Sequence, residues 1–194
     1  MPQARTVAVL VGSLRKDSVT RKVARAIEAL APPTLKFEEV AIGDLPLYNQ
    51  DDEANPPPAY VEFRNRIRAV DAVLFATPEY NRSVPGGLKN AIDVGSRPYG
   101  QSVFNGKPAA VVSVSPGAIG AFGANHHLRQ SLVFLNMPTL AQPETYIGNA
   151  FALFGPNGEL TNESTSEFLR GFGQVFADWI ERNVPDAGAR EAAA

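Results

Sequence analysis

At 194 residues, with 44% hydrophobic and 20% charged residues, the chain has the make-up of one ordinary globular domain. A net charge of −2 gives no general pull toward nucleic acid or membrane, and zero cysteines exclude disulfides, thiol catalysis and thiolate metal sites. No apolar run approaches the ~20 residues that span a bilayer, and the N-terminus passes straight into a strand, so a cytoplasmic protein without a signal peptide is expected.

Thr6 to Val11 is a β-branched run ended by Gly12, the pattern of a central parallel strand buried on both faces. Ser13 to Ser18 is a polar loop. A helix follows with Val23, Ile27, Leu30 and Ala31 at three- and four-residue spacing, stopped by Pro32 and Pro33. Strand, polar loop and helix in that order can bind a phosphate at the helix N-terminus. Gly12 to Thr20 supplies Ser13, Arg15, Ser18 and Thr20 as donors, and Arg15 can grip phosphate oxygens with a fork that lysine lacks. Taken alone, Ser18 and Thr20 also read as a plain helix cap.

Leu35 to Ile42 reads as a second strand. Residues 43–58, with Asp51-Asp52-Glu53 and three consecutive prolines, form a long irregular loop: a rim, a subunit contact or a connector. A helix over 59–69 has Val61, Ile67 and Val70 as core candidates. Val73 to Ala76 is a third buried strand. It turns at Thr77 and Pro78 into the polar, aromatic loop Glu79 to Ser83, then into a helix over 85–93 with Leu88, Ala91 and Ile92 on one face. Ligands of open α/β sheets sit on loops of this kind, beyond the carboxyl ends of strands.

Arg97 to Gly106 is a loop and Pro108 to Val114 a fourth strand. Pro116 to Ala124 is rich in small residues, so backbone can approach a ligand closely. A helix over 127–135 carries Leu128, Leu132, Leu135, Val133 and Phe134 on more than one face, which suggests burial by a second subunit. Adjacent His126 and His127 lie ~100° apart on a helix and cannot share a metal as an i, i+4 pair could. Leu140 to Ile147 is a fifth strand, and Pro156-Asn157-Gly158 a turn. In the last helix, Ser164 and Glu167 form a capping-box pair. Phe168, Leu169, Phe172, Val175, Phe176, Trp179 and Ile180 form its core stripe. One domain over 1–183 and a frayed tail over 184–194 are expected.

Three blocks carry a family resemblance. Thr77-Pro-Glu-Tyr-Asn81, with Ser83, Pro85, Leu88-Lys89-Asn90 and Ile92-Asp93, resembles the signature of NADPH-dependent FMN reductases, nearest to the chromate/quinone reductase branch. Gly12-Ser13-Leu14-Arg15-Lys16 with Ser18 resembles that family's phosphate loop, and Ser115-Pro116-Gly117 to Gly120 its third loop. The resemblance implies an α/β, flavodoxin-like three-layer sandwich with a five-stranded parallel sheet in the order 2-1-3-4-5, as the alternation of strands and helices also suggests.

By resemblance, Ser13, Arg15, Ser18, Val19 and Thr20 hold the FMN phosphate, with Thr20 standing where the family often has asparagine. Pro78, Glu79, Tyr80 and Asn81 run along the ring and ribityl chain, and Ser115, Gly117 and Gly120 line the ring's other side. Arg82 and Ser83 are candidates for NAD(P)H or substrate, a solvated Arg82 being the alternative. No catalytic side chain and no metal are expected, because the flavin carries the chemistry.

The implied activity is an NAD(P)H-dependent reductase that passes a hydride to FMN and on to quinone-, azo-, flavin- or chromate-type acceptors. NADPH versus NADH stays open. The implied assembly is a homodimer, extending to a homotetramer in part of the branch. The tetramer contact uses Arg and Tyr where this chain has Gly123 and His126, with Glu144 matching its acid. Ala121 stands where the family often has a second glycine, which narrows the approach. The alternative reading is a flavodoxin-like electron carrier that does not use NAD(P)H, although such carriers are strongly acidic and this chain is not.

Overall fold

A computed structural model describes residues 4–184. Its strands are β1 (Arg5–Val11), β2 (Leu35–Glu39), β3 (Ala72–Thr77), β4 (Ala109–Val114) and β5 (Thr145–Ile147). Its helices are α1 (Val19–Leu30), α2 (Pro58–Ala69), α3 (Gly86–Gly95), α4 (Phe122–Phe134) and α5 (Glu163–Asn183). All strand pairs are parallel and the sheet order is β2-β1-β3-β4-β5, as the sequence predicts.

Alternation along each strand divides the core into two layers. Val7, Val9, Val11, Leu74, Ala76 and Val112 face one way, onto Val23 and Ile27 of α1 and Phe172, Phe176 and Ile180 of α5. Ala8, Leu10, Val73, Phe75 and Val111 face the other way, onto α2, α3 and α4 through Phe63, Ile67, Leu88, Leu128 and Leu132. Each fully buried side chain of this size contributes about 1.5–3 kcal/mol. The central strands are therefore continuous hydrophobic runs rather than alternating ones.

Several expectations are corrected. On α2, Val61 is 40% exposed, and Tyr60, Phe63 and Arg64 turn inward instead. Arg64 is tolerated because its Nε donates to the Val94 carbonyl at 2.9 Å and its guanidinium lies 5.5 Å from the Tyr60 ring. Burial pushes its pKa down. On α5, Phe168 and Val175 lie at the exposed rim of the stripe. The helix is capped by Asn162, whose side chain accepts from the Thr165 amide at 2.9 Å, rather than by Ser164. Strand β2 ends at Glu39, short of Ile42, and β5 starts only at Thr145.

The 43–58 segment is not structureless. It contains a 3₁₀ turn over Gln50–Ala54. It is pinned by Asn90 of α3, whose Oδ1 accepts from the Tyr48 amide at 2.8 Å and whose Nδ2 donates to the Pro46 carbonyl at 2.8 Å. Helix α4 begins at Phe122, five residues before the predicted start, and its apolar surface divides sharply. Leu128, Leu132 and Leu135 are buried in the chain's own core, while Val133 and Phe134 are 77% and 72% exposed. Of the expected tail, Val184 is buried against the core, and residues 185–194 lie outside the described residues.

Candidate cofactor site

Three loops leave the carboxyl ends of β1, β3 and β4, which are neighbours in the sheet. Between β1 and β3 the strand order reverses direction, and the crevice created there is where open α/β sheets take ligands. The first loop runs from Gly12 to Ser18. The Gly12 amide donates to the Ala76 carbonyl at 2.8 Å, joining this loop to the end of β3. A side chain at Gly12 would sit 3.1 Å from both Pro78 and Leu88, so glycine permits the contact between the first two loops.

Ser13, Ser18 and Thr20 are buried, Val19 is half-buried, and Arg15 is exposed with its guanidinium unengaged among the described residues. Ser18 does cap α1, accepting from the Arg21 amide at 3.2 Å. Cap and phosphate roles are compatible, because the cap leaves other amides open. Among the described residues, none accepts a hydrogen bond from the amides of Ser13, Leu14, Arg15 or Lys16. Free amides, three hydroxyls, a guanidinium and a helix N-terminus form a donor set that fits a phosphate dianion. The loop's one carboxylate, Asp17, is exposed.

The second loop is a two-residue hairpin. Tyr80 and Ser83 exchange both backbone hydrogen bonds, at 3.1 and 3.0 Å. Asn81 and Arg82 between them have φ of 51° and 63°. Two consecutive left-handed residues make a type I′ turn. Asn suits that conformation, whereas Arg82 holds it at a cost of about 1–2 kcal/mol. Pro78 and Glu79 are half-buried, while Tyr80, Asn81 and Arg82 are exposed. Glu79 pairs with Arg82 at 3.6 Å and accepts from the Ala124 amide at 3.0 Å. The Ser83 hydroxyl lies 2.9 Å from His127 Nδ1. A side chain at Gly123 would lie 2.7 Å from the Arg82 carbonyl oxygen, so glycine there lets α4 meet the hairpin.

The third loop, Ser115 to Gly120, is held from beneath. Ser113 Oγ donates to the Gly120 carbonyl at 2.7 Å and accepts from Asn125 Nδ2 at 3.1 Å. Arg129 Nε in turn donates to Asn125 Oδ1 at 2.8 Å. Ser115 Oγ donates to the Gly117 carbonyl at 2.9 Å. Gly120 and Ala121 have φ of 65° and 62°. Ala121 is buried and does not line the approach to the loop. A glycine at 121 would thus suit the backbone conformation rather than widen an opening, which corrects the expected narrowing.

The structure brings the predicted residues of all three loops to the carboxyl end of the sheet, on three neighbouring strands. It adds residues that sequence reasoning missed: Arg21 and Ser113, which bond loop carbonyls, and Asn125 and Arg129, which support Ser113 in turn. His126 Nε2 lies 3.0 Å from the Tyr146 hydroxyl, and Phe122 packs on His126 with ring centres 4.1 Å apart. Burial first, then the Glu144 carboxylate, push the Tyr146 phenol up to about 12. The phenol thus stays protonated at neutral pH, between the Glu144 carboxylate and the His126 ring. Among the described residues there is no cluster of three or more His, Asp or Glu suited to a metal ion, and no helix long and apolar enough to cross a membrane.

The sequence profile of the family described as NADPH-dependent FMN reductase matches residues 5–152, which include all three loops. The chain belongs to that family. As a member it is an FMN-dependent NAD(P)H oxidoreductase. A quinone reductase of Pseudomonas putida is 64% identical over 184 residues, covering 94% of this chain and 98% of that one. A 2-hydroxy-1,4-benzoquinone reductase of a Burkholderia species is 44% identical over 174 residues, covering 90% and 95%. The solved structure of FerB, a flavoenzyme NAD(P)H:(acceptor) oxidoreductase from Paracoccus denitrificans, superposes with a TM-score of 0.88 at 46% identity. That match covers 93% of this chain and all of FerB.

Proposed function

We propose that this chain is a cytoplasmic quinone reductase. FMN, when bound, supplies the two-electron chemistry that links NAD(P)H to the acceptor. Ser13, Arg15, Ser18, Val19 and Thr20, with the free amides of the first loop, hold the phosphate. Pro78 to Asn81 and Ser115 to Gly120 flank the ring. Backbone amides at the ring's pyrimidine edge would stabilise the negative charge that gathers there on reduction. Exposed Tyr80 offers a flat apolar surface for an aromatic acceptor, and Arg82 draws anionic groups of the donor or acceptor to the mouth. No side chain is required as a general base.

The observation that carries this reading is the row of unpartnered loop amides beside Arg15, at the point where the strand order reverses. The matched quinone reductases support the acceptor class. Flat azo compounds, free flavins and, by resemblance, chromate are further acceptors. Exposed Val133 and Phe134 support a homodimer through the outer face of α4. The test is the rate of 1,4-benzoquinone consumption by the FMN-loaded protein with NADPH and with NADH. Rapid turnover with either donor supports the reading. A flavin reduced by either donor but not reoxidised by any quinone would discard the acceptor class.

A further inference from the structure

Arg21 lies in the first turn of α1 and its side chain folds back across the first loop. Nη1 donates to the Arg15 carbonyl at 3.1 Å, Nη2 to the Ser13 carbonyl at 3.4 Å, and Nε to Glu39 Oε1 at 2.8 Å. One guanidinium thus ties two alternate carbonyls of the loop to the carboxyl end of β2. Its side chain is 23% exposed, so the group is partly withdrawn from solvent. The planar fork of arginine can make three such bonds at fixed angles, whereas a lysine ammonium cannot hold the same arrangement.

The consequence follows from peptide geometry. In a planar trans peptide the N–H points opposite to the C=O. Drawing the Ser13 and Arg15 carbonyls onto Arg21 turns the amides of Leu14 and Lys16 away from it. Those amides are among the ones left without an internal acceptor. The same bonds remove two carbonyl dipoles from competition with an incoming anion. Glu39 neutralises and orients the guanidinium from the far side, so Arg21 is not itself free to meet a phosphate.

We propose that Arg21, oriented by Glu39, is a positioning residue that preorganises the β1–α1 loop for the phosphate of FMN. This rests on the reading that the loop holds that phosphate. Arg21 selects for FMN over riboflavin without touching either.

The test uses flavin-free protein and two probes, FMN and riboflavin, with affinities read by quenching of flavin fluorescence. The wild type, Arg21→Met, Arg21→Lys and Glu39→Gln are compared. Arg21→Met should weaken FMN about tenfold, the scale of a lost charge-assisted hydrogen-bond set, while riboflavin affinity stays within about twofold. Arg21→Lys should fall with it, because the charge is kept but the fork is lost. Glu39→Gln, the mildest change, should give a smaller loss of the same FMN-selective kind and carries the test if Arg21→Met does not fold. Unchanged FMN affinity in the Arg21 variants, full retention by Arg21→Lys alone, or equal losses for both flavins would overturn the proposal. If the wild type itself does not prefer FMN, and Arg15→Ala changes nothing, the phosphate-loop reading falls and takes this one with it. A clear wild-type preference with silent Arg21 variants removes only the positioning role.

Discussion

The Glu79 carboxylate accepts the amide of Ala124 at 3.0 Å, across a separation of 45 residues. Helix α4 has no side-chain cap of its own, since its N-cap is Ala121. Ala124 is the third residue of α4, where an N-cap side chain would ordinarily accept. The signature acid of the second loop therefore serves as the cap of a helix that follows the third loop. One hydrogen bond ties the second loop to the first turn of α4, directly after the third loop.

Glu79→Ala should destabilise the protein by about 1 kcal/mol, the usual cost of losing a cap. Glu79→Gln keeps an acceptor and loses only the interaction with the helix dipole and Arg82, so its cost should be about half as large. Urea unfolding of the flavin-free protein checks both. Equal stabilities for wild type and Glu79→Ala would show that α4 needs no borrowed cap.

Ala121 holds a left-handed backbone, φ 62°, in a buried position. Ala121→Gly should relieve about 1 kcal/mol of local strain, partly offset by the added freedom of glycine in the unfolded chain. The expected thermal midpoint is equal to or slightly above that of the wild type. A clear fall would mean that the alanine methyl contributes more to packing than its backbone costs.

Adjacent faces of α4 should respond oppositely to charge. Phe134→Glu alters a side chain that is 72% exposed, so folding should persist while a dimer seen by sedimentation shifts to monomer. Leu132→Glu places a carboxylate at a fully buried site and should unfold the chain, at a cost above about 3 kcal/mol. A dimer that survives Phe134→Glu would move the subunit contact away from this face.

The raised pKa of Tyr146 sets an alkaline limit. The phenol is near 10 when unfolded and about 12 in the fold, so its protonated form is favoured by folding. That contribution is complete below pH 10 and is lost as pH rises through about 12. Tyr146→Phe cannot ionise, so its stability should fall less steeply between pH 10 and 12. Tyr48 and Tyr60 are also raised and remain in both proteins, so some slope should persist. Parallel curves for the two proteins would contradict the Tyr146 shift.

The sheet was legible because the β-branched run at Thr6 to Val11 and its counterparts at 73–76 and 109–114 leave little choice but buried strands. The three loops at the carboxyl ends of the strands were legible because Gly12, Pro78 and Pro116 follow closely on the ends of β1, β3 and β4. Contacts between distant segments left no local trace. The start of α4 was misplaced because its cap comes from Glu79 rather than from a neighbour. Apolar spacing alone cannot weigh Val61 against Tyr60 and Phe63, which is why the exposure of Val61 left no mark in the sequence. The Arg21 strap was hidden because its partners span one loop and the far end of β2. The hairpin turn was hidden because Arg82 is an unfavourable residue for its own backbone conformation.

The most direct test is an anaerobic absorbance titration of the FMN-loaded protein with NADPH and NADH. The account predicts flavin bands that bleach in proportion to added NAD(P)H and return on adding benzoquinone. Bound flavin that stays oxidised with both donors would make the chain an electron carrier. Failure to retain any FMN would contradict the assignment of the three loops.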